Sequence, residues 1–222
     1  MPVQTNYHGI YAQSSGHTRS NEDFARCANT HLDAINSGTT GNQLLRQISE
    51  LARRSDHKLT ICKSDHPTTE PVLSRSQRER HPNLTSYSTI RETAGRAYAL
   101  KKSWRANEGC SAIICWSSRV SKTILDSDGD AIGHEQSTTD MVSTLGHELV
   151  HAKHMMAGTW KGSYEDPLDS STNAGKEELR AVGLGKYKYR KSHEPSENSI
   201  RAEHGLPKRR SYSWENYRTD SE

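Results

Sequence analysis

The segment 146–151 reads Gly-His-Glu-Leu-Val-His and carries two histidines four positions apart, His147 and His151. On an α-helix, residues at this spacing lie on the same face, one turn above each other. Two imidazoles in that arrangement can bind one Zn²⁺ ion. Glu148, beside the first histidine, is placed to accept a proton from a zinc-bound water, whose pKa the metal lowers to about 7. The pattern therefore predicts a hydrolytic site with one zinc ion per chain.

The sequence around this motif favours a helix, and its spacing predicts one over residues 138–157. Ser137 and Asp140 have the spacing of a capping box, and Gly158 is placed to end the helix in a left-handed turn. Proline is absent from this stretch, and apolar residues recur at helical spacing. These residues are Met141, Val142, Leu145, Leu149, Val150 and Ala152. The alternative interpretation is an ordinary amphipathic helix with two histidines that face solvent.

A catalytic zinc ion usually takes three protein ligands and leaves a fourth position for water. His154 lies on the same helix face, but it is about 10 Å from His147 along the helix axis. One ion therefore cannot bind both. A glutamate from a following helix is the remaining solution, and Glu177 and Glu178 fall on the next segment with a helical pattern.

The two glutamates differ in the residue that follows three positions later. In gluzincin helices the ligand is often followed three positions later by a small residue, where two helices pack closely. Glu178 with Ala181 resembles this pattern, whereas Glu177 with Arg180 does not. We therefore predict Glu178 as the third ligand and expect Glu177 to form a hydrogen bond to a ligand histidine. A solvated pair of glutamates is the alternative.

Composition limits the classes of protein to which this chain can belong. Only 31% of its 222 residues are hydrophobic, and the mean hydropathy is −0.94. This supply of apolar residues predicts a small compact domain with long polar loops. The net charge of +3 is too mild to indicate nucleic-acid binding. No apolar run approaches the ~20 residues of a membrane span, so we expect neither a membrane segment nor a cleaved signal peptide.

The four cysteines are scattered and form no C-x-x-C pair. Two disulfides are possible, but free thiols in a cytosolic working compartment are favoured at this chain length. Residues 1–20 are polar and contain no acidic side chain. We predict that they form a disordered, export-signal-like terminus, and that residues 21–222 form a single domain. Its catalytic blocks fall within residues 111–212.

Between the terminus and the motif, the sequence predicts helices and a few strands. Residues 21–53 have helical spacing, whereas three prolines interrupt residues 56–83. The segment 58–62 reads as a strand, although the preceding basic pair, Arg53 and Arg54, gives it the loose shape of a docking peptide for mitogen-activated protein (MAP) kinases.

Residues 111–119 and 120–125 predict two strands, followed by an Asp-Gly turn. A strand just before the motif helix can hold an extended substrate at a sheet edge. The predicted fold is α+β, with a small antiparallel sheet, the motif helix and a following glutamate helix.

Three blocks of sequence resemble one known family. They are Gly-His-Glu-Leu-Val-His-Ala at 146–152, Glu-Glu-Leu-Arg-Ala-Val-Gly-Leu at 177–184, and Glu-Asn-x-x-Arg at 197–201 followed by His-Gly-Leu-Pro-x-Arg at 204–209. The same order and spacing of blocks are found in the NleD/HopH-type zinc metallopeptidase effectors, which Gram-negative pathogens inject into host cells.

This resemblance implies a compact zincin-like domain of the gluzincin type, and an endopeptidase that passes through the type III secretion machinery and acts in the host cytoplasm. Its partner would be a host protein substrate, and NleD itself cuts MAP kinases of the JNK and p38 type. We expect a monomer. Two alternatives stay open: a module that binds a host kinase without cutting it, and a peptidase toxin aimed at rival bacteria.

Peptide hydrolysis also needs a hydrogen-bond donor for the negative charge that grows on the carbonyl oxygen. The motif helix offers none. Arg209 and Tyr212 form an R-x-x-Y pattern similar to one in clostridial neurotoxins, and the phenol of Tyr212 would supply a neutral donor at pH 7. We therefore predict Tyr212 as a second catalytic residue. The alternative is an aromatic side chain that packs the tail, with Arg209 bound to a carboxylate.

Overall fold

One layer of the structure is a five-stranded mixed sheet. Its strands are β1 (Val3–Gln4), β2 (Ile10–Gln13), β3 (Leu59–Lys63), β4 (Thr68–Val72) and β5 (Ser111–Trp116). The strand order is β1-β2-β3-β5-β4. The three central strands run parallel, and β1 and β4 run antiparallel to them at the two edges. The computed structural model describes residues 1–14, 18–84, 89–118, 121–136, 140–163 and 165–212.

The other elements are mostly helical. The helices are α1 (Thr18–Asn36), α2 (Thr39–Arg54), α3 (Arg75–Arg80), α4 (Thr89–Ala99), α5 (Met141–Met156), α6 (Asn173–Val182), α7 (Tyr189–Ser192) and α8 (Glu197–Glu203), with a 3₁₀ turn at Gly185–Tyr187. A separate hairpin pairs β6 (Ser121–Leu125) with β7 (Ala131–Gln136). Among the described residues, no helix combines the length and apolarity needed to cross a bilayer.

The core lies between the sheet and helices α1, α2 and α5. Alternate residues of the parallel strands face these helices and are almost completely buried, as the period of two in a strand requires. In α2, Leu44, Leu45 and Ile48 are buried at helical spacing, which confirms the predicted apolar face of that helix. The buried strand residues are Ile10, Ala12, Leu59, Ile61, Ala112, Ile114 and Trp116.

A glycine lets α8 lie close against the middle of α5. A Cβ atom at Gly146 would lie 2.8 Å from the Cδ1 atom of Ile200, so any larger side chain would push the two helices apart or displace that isoleucine. Gly183 ends α6 with φ +86°, and Gly158 follows α5 with φ +63°. Glycine adopts this left-handed conformation readily, and the turn at Gly158 was predicted for that reason.

The structure confirms the α+β class but differs from the predicted sheet. The sheet is mixed rather than antiparallel, because helices cross over between its parallel strands, as parallel pairing requires. β4 was not predicted. It tolerates Pro71 because it lies at the sheet edge, where a missing backbone N–H costs no ladder hydrogen bond.

The structure decides two further predictions, one about the segment 58–62 and one about the cysteines. Residues 59–62 of the predicted strand 58–62 belong to β3, and the apolar residues Leu59 and Ile61 are fully buried. The strand interpretation therefore holds, and the docking-peptide interpretation is wrong. All four cysteines, each in the described part of the chain, are free thiols.

The N-terminal segment also differs from its prediction. Residues 1–20 were predicted to be disordered, but β1 and β2 lie within them, and Ile10 and Ala12 are fully buried in the core. The polar composition hid this strand, because a four-residue strand with one buried face needs only two inward-facing apolar residues.

Substitution of Ile10 tests whether this segment is part of the folded domain. We expect Ile10→Ala to lower the free energy of unfolding by about 2–5 kcal/mol, because it removes buried methyl groups and leaves a cavity. Gln13→Ala, at an exposed position of the same strand, should change it by less than about 0.5 kcal/mol. Urea denaturation of both variants measures the difference. Equal stability of the two would show that the strand contributes nothing to the fold.

Candidate metal centre

Helix α5 and helix α6 bring the three predicted ligands together. The Nε2 atoms of His147 and His151 are 3.0 Å apart, and each lies 3.2 Å from the Oε2 atom of Glu178. The two histidines come from successive turns of α5, and Glu178 projects from the helix that packs beside it. Three potential ligand atoms thus form a nearly equilateral triangle.

The dimensions and chemistry of this triangle fit a zinc ion. With bonds of about 2.0 Å in a tetrahedral arrangement, the ligand atoms of a zinc site lie about 3.3 Å from one another. The three observed distances are 3.0, 3.2 and 3.2 Å. Two imidazole nitrogens and one carboxylate oxygen are also a donor set that zinc accepts, with a fourth position left for water. The identity of the metal and the three ligand roles remain predictions.

Glu197, which the sequence analysis did not assign to the site, orients the first histidine. Its Oε2 atom lies 3.0 Å from the Nδ1 atom of His147. A carboxylate at Nδ1 favours the proton on that nitrogen, so that the Nε2 lone pair faces the triangle. Glu197 is the N-terminal residue of α8, a helix capped by Ser196. The sequence contained a signal for it, because the Glu-Asn-x-x-Arg block begins at this residue.

Two arginines hold the Glu197 carboxylate in place. Arg201 Nη1 donates to its Oε1 atom at 3.1 Å, and Arg209 Nη1 donates to its Oε2 atom at 3.0 Å. Arg201 also pairs with Asp140 at 2.7 Å, just before α5 begins. All four of these side chains are buried. A buried charge is tolerated only when it is paired and hydrogen-bonded, and here two carboxylates meet two guanidinium groups.

Glu177 lies behind the second histidine, His151, but its closest hydrogen-bond partner is not a ligand histidine as predicted. Its Oε1 atom is 2.5 Å from the Nδ1 atom of His154 and 3.7 Å from the Nδ1 atom of His151. The backbone N–H of Lys161 donates to its Oε2 atom at 3.1 Å. Glu177 is therefore near His151, but its hydrogen bond is to His154, which lies outside the triangle as the length of the helix requires.

The shifted pKa values of the histidines and glutamates show that the surrounding carboxylates favour a positive charge between the two imidazoles. Burial alone would lower the pKa of His147, but hydrogen bonds to Glu178 and Glu197 raise it to about 9. Burial also opposes the charged form of His151, yet the carboxylate of Glu178 raises its pKa well above the usual range. Burial would raise the pKa of Glu178, but the neighbouring His151 and His147 hold it well below its ordinary value. A bound divalent cation would supply this positive charge.

A cleft of about 260 Å³ opens beside the triangle. Glu148, next to the first histidine, lies on its wall, and so do Thr69, Trp160 and Tyr212. The Tyr212 ring lies nearly parallel to the imidazole of His147, with 6.3 Å between centroids and an interplanar angle of 18°. The structure thus brings both predicted catalytic side chains to one cleft.

Arg209 fixes the segment that carries Tyr212. Its guanidinium donates to the carbonyl oxygen of Tyr212, and Asn198 brackets the Arg209 backbone with two hydrogen bonds of 2.7 and 2.8 Å. Burial and the negative charge of Glu178 raise the pKa of Tyr212 above its ordinary value, so the phenol keeps its proton at neutral pH. Arg209 binds a carboxylate, that of Glu197, and Tyr212 lies in the cleft. The sequence offered these two arrangements as alternatives, but the structure contains both.

The strand that lines the cleft is β4. Pro67, Thr68 and Thr69 line the cleft, and β4 ends the strand order of the five-stranded sheet. β5 lies between β3 and β4, so both of its edges are paired. Of the two strands predicted before the motif helix, at residues 111–119 and 120–125, the first therefore offers no open edge to a substrate. Among the described residues, no strand pairs with the outer edge of β4.

A family model described as Peptidase_M91, effector protein, matches residues 12–212. The chain belongs to this family. Among curated proteins, none matches the chain with significance. Membership of Peptidase_M91 supports a peptidase effector, and it confirms the family predicted from the three sequence blocks. The match begins in β2, and it includes the triangle, Glu148, Glu197 and Tyr212.

Substitution of the two histidines tests the metal centre. Purified protein should contain about one zinc ion per chain, and His147→Ala or His151→Ala should lose it, because two ligands cannot hold zinc as three do. His66→Ala, at an exposed histidine outside the triangle, should retain it. Elemental analysis after dialysis measures the content. Full zinc retention in both ligand variants would remove the triangle as the metal site.

Proposed function

We propose that the chain is a zinc-dependent endopeptidase that acts as an effector inside a host cell. The observation that carries this proposal is the triangle of His147, His151 and Glu178, with the carboxylate of Glu148 beside it on the wall of one cleft. A motif helix followed by a glutamate helix is the arrangement that gluzincins use, and the family assignment supports peptide-bond hydrolysis.

Glu148 has the position of a general base. When bound, zinc would supply a Lewis acid that lowers the pKa of water and polarises a carbonyl group. Glu148 neighbours the first ligand on α5 and reaches the cleft, so its carboxylate can accept the proton of the attacking water. The same carboxyl group can later donate that proton to the leaving amine, as general acid–base catalysis requires.

Tyr212 has the position of the oxyanion donor. Its ring stands beside His147 on the cleft wall, and its raised pKa keeps the hydroxyl group protonated. A phenol in this state can donate a hydrogen bond to the carbonyl oxygen as negative charge develops there. Arg209 acts on this residue indirectly, through the carbonyl oxygen that it binds.

The outer edge of β4 at residues 68–69 is the proposed binding surface for an extended substrate, since Gly95 of α4 packs against the strand farther along, at Pro71. An extended peptide can add to a free sheet edge through backbone hydrogen bonds, which hold it with little dependence on its side chains. Such pairing would lay the substrate across the cleft wall that Thr68 and Thr69 form. Because a folded protein rarely offers an extended segment, the proposed substrate is cut in an exposed loop.

The proposal has three further parts. They are delivery through a type III secretion apparatus, action as a monomer in the host cytoplasm, and cleavage of a MAP kinase of the JNK or p38 type. Support for them comes from the resemblance to NleD/HopH-type effectors and from membership of an effector family. Free thiols at all four cysteines suit a reducing compartment.

Removal of the base tests the proposed reaction. Glu148→Ala should keep the fold and the zinc ion but lose cleavage by several orders of magnitude, because base and metal act as a unit. Host-cell lysate is incubated with the wild type, with Glu148→Ala and with Glu22→Ala, a variant at an exposed position on α1. New peptide termini are then compared by mass spectrometry. They should appear with the wild type and Glu22→Ala alone.

The same comparison identifies the substrate. Termini within a MAP kinase activation loop would support that target, and termini elsewhere would replace it. If the wild type generates no termini that Glu148→Ala lacks, the chain is not a peptidase toward that lysate, and the binding-module alternative is favoured.

Removal of the phenolic hydroxyl tests the oxyanion donor. Tyr212→Phe should lower kcat by roughly 10²–10³ with little change in KM, as expected for the loss of one donor that acts in the transition state. Tyr189→Phe, whose hydroxyl group binds Gln43 instead, should leave kcat unchanged. Steady-state kinetics on the identified substrate measures both. An unchanged kcat in Tyr212→Phe would leave Tyr212 with a packing role only.

A further inference from the structure

A threonine of the edge strand forms a hydrogen bond to the proposed base. The Oγ1 atom of Thr69 lies 2.6 Å from the Oε2 atom of Glu148 and 3.2 Å from the backbone carbonyl oxygen of the same residue. The two residues are 79 positions apart in the sequence and belong to different elements. No motif marks Thr69, which lies in the stretch that its prolines led us to interpret as irregular.

A threonine hydroxyl has one proton, so it donates to one of these two oxygens at a time. The carboxylate is the closer acceptor, and a distance of 2.6 Å is typical of a hydroxyl group that donates to a charged oxygen. Such hydrogen bonds are stronger than those between neutral groups. Glu148 Oε2 therefore accepts a hydrogen bond from the Thr69 hydroxyl group, and the other carboxylate oxygen, Oε1, stays available for a reacting water.

Both partners are fixed by the fold. Thr69 pairs with Ile114 of β5 in the antiparallel register, and Ile114 is fully buried. Glu148 occupies the middle of α5, which packs on the same sheet. A glutamate side chain has several rotatable bonds, and holding it in one conformation costs conformational entropy. A hydrogen bond from a rigid strand offsets that cost before the substrate binds.

We propose that Thr69 is a positioning residue for the proposed base: it holds Oε2 of Glu148 so that Oε1 faces the attacking water. This inference rests on the proposed function and deepens it. The donor comes from the strand whose outer edge is the proposed substrate surface, so the same strand aligns the substrate and the base. A misplacement of about 1 Å at a reacting group can lower a rate by about a hundredfold, which is why such a contact has catalytic value.

The main competing interpretation is structural, with Thr69 serving to tie β4 to α5. Replacement by valine separates the two interpretations, because valine keeps the branched shape and the preference for strands but has no hydroxyl group. Serine keeps the hydroxyl group and loses only a methyl group. Thr60→Val is the matched control, since Thr60 lies on β3 of the same sheet, is partly buried like Thr69 and is not among the residues that line the cleft.

The experiment measures kcat, KM and zinc content for the wild type and the three variants. The probe is a peptide that spans the cleavage site found in the lysate comparison. Thr69→Val should lower kcat by about 10- to 100-fold, the effect of losing one hydrogen bond to a charged group, with KM and zinc content unchanged. Thr69→Ser should restore kcat to within a few-fold of the wild type, and Thr60→Val should match the wild type.

A crystal structure of zinc-loaded Thr69→Val provides a readout that needs no substrate. The Glu148 carboxylate should leave its wild-type position or occupy several, while β4 and the three ligands stay in place. A carboxylate that keeps its position, or a kcat equal to that of the wild type, would overturn the proposal. So would equal losses in Thr69→Val and Thr69→Ser. Failure of the proposed function gives a different result, namely no difference between the wild type and Glu148→Ala.

Discussion

The hydrogen bond between Glu197 and the Nδ1 atom of His147 is the interaction on which the rest of the site depends. At 3.0 Å, it fixes the tautomer of the imidazole and turns its Nε2 atom toward the other two ligand atoms. A free carboxylate at this depth would be unstable, because burial favours its neutral form. Ion pairs with Arg209 and Arg201 stabilise the charged carboxylate. They hold the pKa of Glu197 below its ordinary value, although burial alone would raise it.

These two arginines also connect the site to the fold. Arg201 reaches Asp140 at the start of α5 as well as Glu197 at the start of α8, so one guanidinium holds two helices in register. Gly146 also lets α5 and α8 pack closely, because the absence of a side chain there lets Ile200 approach the motif helix. The glycine that precedes His147 therefore has a packing role. A buried network of this kind gives little net stability, and its effect is to define one arrangement of the helices.

The predictable part of the site is the part that lies on single helices. His147, Glu148 and His151 share one helix, and their spacing alone puts them on one face. Glu178 needed one further step, the packing of a second helix, which Ala181 made plausible. Thr69 and Glu197 were not assigned, because their roles depend on contacts between elements distant in sequence. The orientation of β4 and the parallel pairing of β2, β3 and β5 were missed for the same reason.

Residues 197–212 supply three different things to the site, although they contain none of the predicted ligands. Glu197 orients His147, Arg209 neutralises Glu197, and Tyr212 forms part of the cleft wall. The same guanidinium of Arg209 binds both the Glu197 carboxylate and the Tyr212 carbonyl. The position of the proposed oxyanion donor is therefore linked through one side chain to the orientation of a proposed ligand. The three potential ligand atoms come from α5 and α6, whereas the orientation of His147 and part of the cleft wall come from residues 197–212.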